Sequence, residues 1–365
     1  QKQIKVEHSK STSSSFPIDL TSEILLRLPE KSVARFRCVF KLWSSITTDQ
    51  YFINSFETQT RSPPLSLLLC FQKDDSLFVS TIPQHTLISN RSCSSSQPID
   101  RYHSKIPGNY SHYHSMESVN GLICFEESGE TGHLIVWNPS KKQFLTIPKP
   151  RKIWRERIVV LGYDPIDGKH KVVCIPFCNY FSDVCEVLTL GSAQESWRTV
   201  RTTYNHSAYR LSSVKCIKRI IYYLAYSDRR HGFVLMSFDV RSEKLDLRVL
   251  TSDIHYGTRL INYGGEDVEK DKWSSQDFHV PFRHHDLSLR TYFSLKGITH
   301  AGEFIYVPDT FHISFYILFF DPVRNSRRRL EFNRLLDDES GLDNGDQDKP
   351  YLHVFPNHIE SQMSL

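Results

Sequence analysis

The feature that most constrains the fold is a pattern of short strands that begins at about residue 65. Runs rich in Val, Ile, Leu, Phe and Tyr are separated there by turn residues every 8 to 15 positions, and such runs predict β-strands. The clearest runs cover residues 65–71, 134–137, 158–161, 171–175, 220–226, 233–238 and 314–320. The sequence shows no long amphipathic helix after residue 60, so the pattern predicts a large all-β domain and argues against a doubly wound α/β enzyme.

Four of these runs end in a similar way, which indicates a weak internal repeat. Each ends with an aromatic residue, Asn or Asp, and usually Pro: Trp137-Asn138-Pro139, Tyr163-Asp164-Pro165, Phe238-Asp239-Val240 and Phe320-Asp321-Pro322. The Asn or Asp side chain bonds the backbone two residues further on, so each strand must reverse there. The spacings of 26, 75 and 82 residues are irregular, but similar hairpins suit blades around an axis. We predict a β-propeller-like domain, with a β-sandwich as the alternative.

Residues 16–56 differ in composition from the rest of the chain. Twenty of these 41 residues are apolar, against 39% for the whole chain. Asp19 is placed to cap a first helix starting at Leu20, and Ser32 can cap a second one. The apolar stripes at helical spacing are Leu20, Ile24, Leu25 and Leu28, followed by Val33, Phe36, Val39, Phe40, Trp43 and Ile46. We predict a short three-helix unit and therefore an α+β protein overall.

These helices carry more apolar surface than a unit of about 40 residues can hide. Without disulfides or a metal, a unit of this size buries too little surface to be stable alone. The extra apolar face either belongs to a partner protein or packs on the rest of the same chain. Helical periodicity cannot separate these two interpretations.

Composition divides the chain into five segments. We predict a disordered stretch at residues 1–15, the helical unit at 16–58, a linker at 59–64, the β domain at 65–336 and an acidic, largely flexible tail at 337–365. The first stretch is polar and lacks the apolar region of a signal peptide, so we expect an intracellular, nuclear or cytoplasmic protein. The linker contains Pro63-Pro64, and residues 337–350 contain six acidic side chains.

Charge and cysteine usage exclude several classes of protein. The chain has 45 Lys and Arg against 41 Asp and Glu, for a net charge of +4, which is too small to indicate nucleic acid or an anionic membrane as the partner. The longest apolar run has six residues, 315–320, far below the roughly 18 needed to span a bilayer. Eight Cys without a Cys-x-x-Cys pair indicate reduced thiols rather than a disulfide scaffold.

Candidate metal ligands and nucleophiles are present but form no recognisable pattern. They are His103, His112, His114, His284 and His285, and the clustered Cys174, Cys178 and Cys185. The histidine spacing fits no metal site, and the apolar neighbours of the cysteines favour packed thiols over zinc ligands. The chain has no Gly-x-Ser-x-Gly elbow and no Cys-His signature. We expect no metal, no cofactor and no catalytic residue.

A basic segment precedes the predicted strand at residues 158–161. In this segment Lys149 and five further residues bring together basic charge and one aromatic ring. The five candidate substrate-binding residues are Arg151, Lys152, Trp154, Arg155 and Arg157. Such a segment can hold an acidic or phosphorylated target or RNA, and the alternative is a solvated connection that keeps the protein soluble. The run 327–329 is also basic, and its charges can simply face the acidic tail.

Residues 16–56 closely resemble the F-box, especially its plant form. The matching stretches are FPIDL (16–20), EIL (23–25), RLP (27–29), KS (31–32), RFRCV (35–39) and KLWSS (41–45). Phe16, Phe40 and Gln50 depart from the common form but keep the apolar pattern. The remainder resembles the F-box-associated domain of plant F-box proteins, a kelch-like or propeller-type interaction domain. The stretches are NGLIC (120–124), VWNPSKKQFLTIP (136–148), LGYDPIDGKHKVVCI (161–175), LTLGSAQESWRT (188–199), SFDVRS (237–242) and THAGEFIYVP (299–308).

The resemblance implies a non-catalytic substrate-recognition subunit of a Skp-cullin-F-box ubiquitin ligase. In that family the F-box docks on a Skp-type adaptor, which connects it to cullin and RING subunits, and the β domain holds a target protein. The expected adaptor-binding residues are Pro17, Leu20, Ile24, Leu25, Leu28, Pro29, Val33, Phe36 and Trp43. The alternative is a ligase-independent propeller that binds a partner or ligand and carries a vestigial F-box.

Overall fold

The structure is a computed structural model with two compact units, residues 1–61 and 62–365. It describes residues 18–26, 28, 30–59, 65–73, 76–83, 100–106, 117–126, 133–151, 157–177, 180–192, 196–209, 214–227, 232–249, 260–261, 285–286, 291–299, 301–311, 314–333 and 351–365. None of the helices in these ranges has the length and apolar content that crossing a bilayer requires.

The first unit, called the head, has four helices where the sequence predicted three. They are α1 (Ile18–Leu26), α2 (Glu30–Val39), α3 (Lys41–Thr48) and α4 (Gln50–Gln59). The predicted second helix is divided because Phe40 has extended backbone angles, φ −145° and ψ 131°. Neither predicted cap is correct, since Asp19 and Ser32 lie inside α1 and α2. Asp49 caps α4 instead, with its Oδ1 accepting from the Tyr51 N–H at 2.9 Å.

The head has its own small core. Leu25, Val33, Ile46 and Phe52 are buried together, one from each helix. Arg37 links α2 to the C-terminal end of α3, because its Nη2 donates a hydrogen bond to the Thr47 carbonyl oxygen at 2.7 Å. A core this small contributes only a few kcal/mol of stability.

The second unit, called the β domain, consists of short antiparallel strands. They are β1 (Ser66–Lys73), β2 (Ser76–Pro83), β3 (Asp100–Lys105), β4 (Ser118–Val119), β5 (Leu122–Glu126), β6 (Leu134–Asn138), β7 (Gln143–Ile147), β8 (Arg157–Asp164), β9 (Lys169–Pro176), β10 (Ser182–Thr189), β11 (Arg198–Ala208), β12 (Lys215–Ile217), β13 (Ile220–Ser227), β14 (Gly232–Asp239), β15 (Leu245–Val249), β16 (His285–Asp286), β17 (Thr291–Ile298), β18 (Phe304–Pro308), β19 (Ser314–Asp321), β20 (Ser326–Asn333) and β21 (His353–His358). All seven predicted strand segments are confirmed.

Among the described residues the strands form four sheets. Sheet A has the order β21-β1-β2-β3, sheet B β4-β5-β6-β7, sheet C β15-β14-β13-β11-β10-β9-β8 with β12 added to β13, and sheet D β16-β17-β18-β19-β20. Sheet C consists of two four-stranded halves that are joined where residues 206–208 of β11 pair with residues 225–227 of β13. This arrangement, with local hairpins throughout, is that of consecutive propeller blades.

Strand β1 shows how neighbouring sheets are packed. Leu67, Leu69 and Phe71 enter an apolar cluster shared with sheet D, whereas Leu68 and Cys70 enter a cluster shared with sheet B. Because side chains alternate along a strand, a strand buried on both faces must be apolar at every position. Strands β5, β6, β9, β13, β18 and β19 divide their side chains between two clusters in the same way. Face-to-face packing from sheet to sheet confirms the propeller.

The turn repeat predicted from the sequence is confirmed at all four positions. Oδ1 of Asn138, Asp164, Asp239 and Asp321 accepts a backbone N–H two or three residues further on, at 2.8 to 3.2 Å. Four residues after each Asx, the chain adopts a positive φ at Lys142, Gly168, Glu243 and Asn325. The left-handed residue reverses the direction of the chain, so that the next strand pairs with the one before the turn.

The prediction of a flexible tail is wrong for residues 352–365. Strand β21 pairs with β1, and Leu352, Val354 and Phe355 are buried in the apolar clusters on the two sides of sheet A. The acidic run at 337–348 lies outside the described residues. Strand β21 therefore completes sheet A, whose other three strands come from the start of the domain.

Acid is expected to destabilise the β domain through two buried histidines. Burial lowers the pKa of His170 to about 4 and that of His358 to about 4, against about 6.5 in an unfolded chain. Both are neutral when folded, so their contribution to stability is complete above about pH 6.5 and is lost as the pH falls toward 4. Between about pH 6.5 and pH 4, each histidine lowers the free energy of unfolding by up to about 1.4 kcal/mol for each pH unit. Urea unfolding at several pH values measures this slope, and a flat profile would contradict it.

Candidate functional site

One face of α1 is an exposed apolar surface of the head. Leu20 and Ile24, one turn apart, are 48% and 54% exposed, while Leu25 of the same helix is buried. Residues four apart lie side by side on a helix, so the two side chains form one patch. We call Leu20 and Ile24 the α1 patch. A small helical unit that leaves such side chains in water has the surface expected of a docking module.

The structure sorts the nine expected adaptor-binding residues. Leu25 and Val33 lie in the head core, so their assignment to direct adaptor contact is wrong, because a partner cannot reach them. Leu28, Phe36 and Trp43 are partly buried and pack against that core. Of the nine, only the two residues of the α1 patch are exposed among those that the structure describes. Pro17 and Pro29 lie outside the described residues.

Three further apolar side chains of the head are exposed, and the sequence analysis did not assign them to a partner. They are Val39 and Phe40 at the break between α2 and α3, and Tyr51 at the start of α4. Phe40 lies edge-on to Trp43, with ring centroids 6.0 Å apart. The sequence did contain an indication of this exposure. The predicted apolar stripe is too wide for one face of a short helix, so Val39 and Phe40 cannot both face inward.

The basic segment before β8 is only partly available for binding. Arg151 is exposed, but the side chain of Arg157 is only 9% exposed and forms an ion pair with Glu126 of β5. Burial raises the pKa of Glu126, and the charge of Arg157 opposes that effect. The assignment of Arg157 to substrate binding is therefore wrong, because its guanidinium joins sheets B and C. Lys152, Trp154 and Arg155 lie outside the described residues.

The other basic run, on β20, is anchored by its own blade. Arg328 donates two hydrogen bonds to Glu303, at 2.8 and 2.6 Å, and lies 3.9 Å from the centroid of Phe319. Arg329 lies 4.7 Å above the ring of Tyr316. At least two of the three arginines thus have contacts within their own blade. Pairing with the acidic segment is not needed to account for the positions of their side chains.

A group of aromatic rings lies at one end of sheet C. Tyr226 and Phe233 of the β13–β14 hairpin are 4.1 Å apart between ring centroids, and Tyr209 lies edge-on to both. Tyr180 and Phe181, between β9 and β10, are also exposed. The sequence analysis missed this group because its members come from three separate segments. Residue 177, three positions before Tyr180, forms a bridge with residue 208, the residue before Tyr209.

The described residues assemble no metal-binding group. Cys174 and Cys185 are buried in apolar clusters, and burial raises the pKa of Cys185 to about 12. The rings of His103 and Phe78 lie 5.9 Å apart between centroids, tilted by 35°. No group of three or more His, Cys, Asp or Glu side chains among the described residues could hold a metal ion. His112, His114, Cys178 and His284 lie outside those residues.

A helical head with an exposed apolar patch, followed by a β-propeller, defines the class of two-domain F-box proteins. The F-box domain family matches residues 13–55, and the family described as "F-box associated beta propeller domain" matches residues 66–266 and 265–359. The chain therefore belongs to the F-box proteins that carry this propeller. Membership supports a general role in substrate recognition for Skp-cullin-F-box ligases.

Relatives from Arabidopsis thaliana span the whole chain. The F-box protein At1g47765 is 52% identical over 387 residues, which cover 99% of this chain and 96% of the relative. The F-box protein At3g10240 is 52% identical over 385 residues, with 100% and 96% covered. The F-box protein At1g48060 is 40% identical over 366 residues, with 96% and 93% covered. The chain is thus similar to plant F-box proteins along both of its units.

Proposed function

We propose that this protein is the substrate-recognition subunit of a Skp-cullin-F-box ubiquitin ligase, acting inside the cell. The observation that carries the proposal is the α1 patch, which leaves Leu20 and Ile24 in water on a domain that matches the F-box. About half of each side chain is still exposed, so burying the rest of both in an apolar groove contributes about 1.5 to 3 kcal/mol in total. This is enough to anchor an interface around a few central residues.

The chain itself does no bond chemistry in this proposal. The head binds the Skp-type adaptor and through it the cullin and RING subunits, and the β domain holds a target protein near the ubiquitin-loaded enzyme. Proximity and orientation then supply the gain in rate. Among the residues expected to contact the target, Arg151 is exposed, and Lys152, Trp154 and Arg155 remain candidates from the sequence.

Charge on the α1 patch is expected to abolish adaptor binding. Leu20→Asp or Ile24→Asp places a carboxylate where an apolar contact is needed, so the full chain should bind a purified Skp-type adaptor more than about 100-fold more weakly, since each 1.4 kcal/mol is a factor of ten. The matched control is Ile166→Asp on a turn of the β domain, where the isoleucine is 56% exposed, against 54% for Ile24. Titration calorimetry with the wild type and the three variants measures the difference.

Thermal unfolding of each variant separates loss of contact from loss of structure. Ile24 is outside the head core, so Ile24→Asp should unfold at nearly the temperature of the wild type. Wild-type chain that fails to bind the adaptor, or head variants that bind as tightly as Ile166→Asp, would refute the proposed function.

A further inference from the structure

Residues 359–365, called the strap, continue beyond β21 without joining a sheet of the described residues. Asn138, at the end of β6, holds the strap through its side-chain amide. Its Nδ2 donates to the carbonyl oxygens of Ser361 and Met363, at 3.3 and 2.7 Å. One side chain thus binds the backbone of two alternate strap residues, as a groove holds an extended peptide whatever its sequence.

Two neighbouring side chains of the β6–β7 hairpin complete this contact. The Ser140 Oγ accepts from the Ser361 N–H at 3.1 Å, and the Gln143 Oε1 accepts from the Leu365 N–H at 3.2 Å. Met363 and Leu365 pack against the apolar cluster between sheets B and C. Polar side chains bind the backbone, and the apolar cluster takes alternate side chains. We call this surface the sheet B groove.

The residue type at Asn138 distinguishes this turn from its three equivalents. The other turns have an aspartate, Asp164, Asp239 or Asp321, and all four side chains accept the same kind of backbone hydrogen bond through Oδ1. Aspartate therefore suffices for the turn, but only asparagine also has an N–H donor. The turn that touches the strap is the one that has the donor.

The strap fits its groove imperfectly at one position. Gln362 is buried, and its Nε2 has no hydrogen-bond partner among the described residues. A buried donor without a partner weakens the contact, whereas an apolar side chain of the same size does not. An extended segment with an apolar residue at this position would bind the same groove more tightly.

We propose that the sheet B groove is a docking site for an extended segment of the target protein, which displaces the strap. The segment has apolar side chains at the positions of Met363 and Leu365, and an apolar residue at the position of Gln362 improves its fit. The proposal rests on the proposed function, in which the β domain presents a target. A tethered strap has an effective concentration in the millimolar range, so only a segment that fits better can replace it.

The test uses the full chain with the variant Met363→Asp/Leu365→Asp, which keeps β21 but weakens the strap. The probe is a synthetic peptide of residues 359–365, IESQMSL, labelled with a fluorophore. This variant should bind the peptide at least tenfold more tightly than the wild type, whose groove is occupied. A second peptide, with Gln362→Met, should bind about fivefold more tightly than the first.

Asn138→Asp, added to the same variant, keeps the turn but removes the donor, so peptide binding should weaken at least tenfold. The matched control is Asp321→Asn on the equivalent turn of sheet D, which should leave binding unchanged. A folded variant that does not bind either peptide, or peptides that bind equally well with and without the Asn138→Asp change, would overturn the proposal. The assay contains no adaptor, so its outcome is independent of the test of the α1 patch.

Discussion

Deletion of residues 352–365 is expected to unfold the β domain. The deletion removes β21, which is the edge strand of sheet A, and takes Leu352, Val354 and Phe355 out of two apolar clusters. Full burial of each of these side chains contributes about 1.5 to 3 kcal/mol. The sum is comparable to the whole stability of a typical domain, about 5 to 15 kcal/mol. The deleted chain should show no cooperative thermal transition by circular dichroism.

The control for this deletion is Glu360→Ala, because Glu360 is exposed beside the same strand. Gly121→Ala is a separate test, without any deletion, of how the strap packs on the β domain. Gly121 has a φ of +79°, and a Cβ there would lie 2.5 Å from the Cβ of Ser361 and 2.9 Å from the carbonyl oxygen of Ile359. The variant should unfold at a lower temperature. A deleted chain that unfolds at the wild-type temperature would show that residues 352–365 do not stabilise the β domain.

Glu243→Gln is expected to reduce the stability of the β domain by about 3 kcal/mol. Glu243 lies in the β14–β15 turn and accepts hydrogen bonds from Lys171 of β9, at 2.7 Å, and from the Nε of Arg198 of β11, at 2.8 Å. The Lys171 side chain is only 11% exposed. Removal of one partner leaves that ammonium without its counter-charge in a place that water hardly reaches, which is costly. Urea unfolding at neutral pH measures the loss.

The ion pairs of Glu243 also determine how the stability of the β domain changes with pH. Burial alone would raise the pKa of Glu243, but the hydrogen bonds and charges of Arg198 and Lys171 outweigh it and hold that pKa below its usual value. The Glu243 carboxylate therefore contributes fully to the stability of the β domain above its unfolded pKa of about 4.5. This contribution is lost as the pH falls through the pKa of Glu243 in the folded protein. The matched control is Asp183→Asn, which breaks a pair with Arg201, a side chain 77% exposed. It should cost less than about 0.5 kcal/mol, and equal losses in the two variants would contradict this account.

Much of the β domain was predictable because its signals are local. The turn at Asp321 needs only an acceptor side chain and a following Pro, and both are visible in the sequence. The apolar run at 67–71 predicted a strand, and its burial on both faces explains why it does not alternate. The break at Phe40 was not predictable from periodicity, because the apolar stripe continues across it.

The candidate sites were less predictable because they depend on distant contacts. Arg157 looked like part of a basic patch, but its partner Glu126 lies 31 residues earlier in the chain. Leu25 and Ile24 are neighbours with the same polarity, and only the packing of α1 against the other helices decides which of them is buried. Residues 352–365 looked like a continuation of the acidic tail, although their partners begin at Ser66.

The sequence by itself determined the two units, the short strands, the turn repeat and the family, because each depends on residues close together in the chain. The tertiary structure alone decided which apolar side chains of the head face water and which basic residues are already paired. It alone also showed that β21 completes sheet A and that the strap lies on Asn138. These features join residues up to about 290 positions apart, and only the packing of the sheets brings such residues within hydrogen-bonding distance.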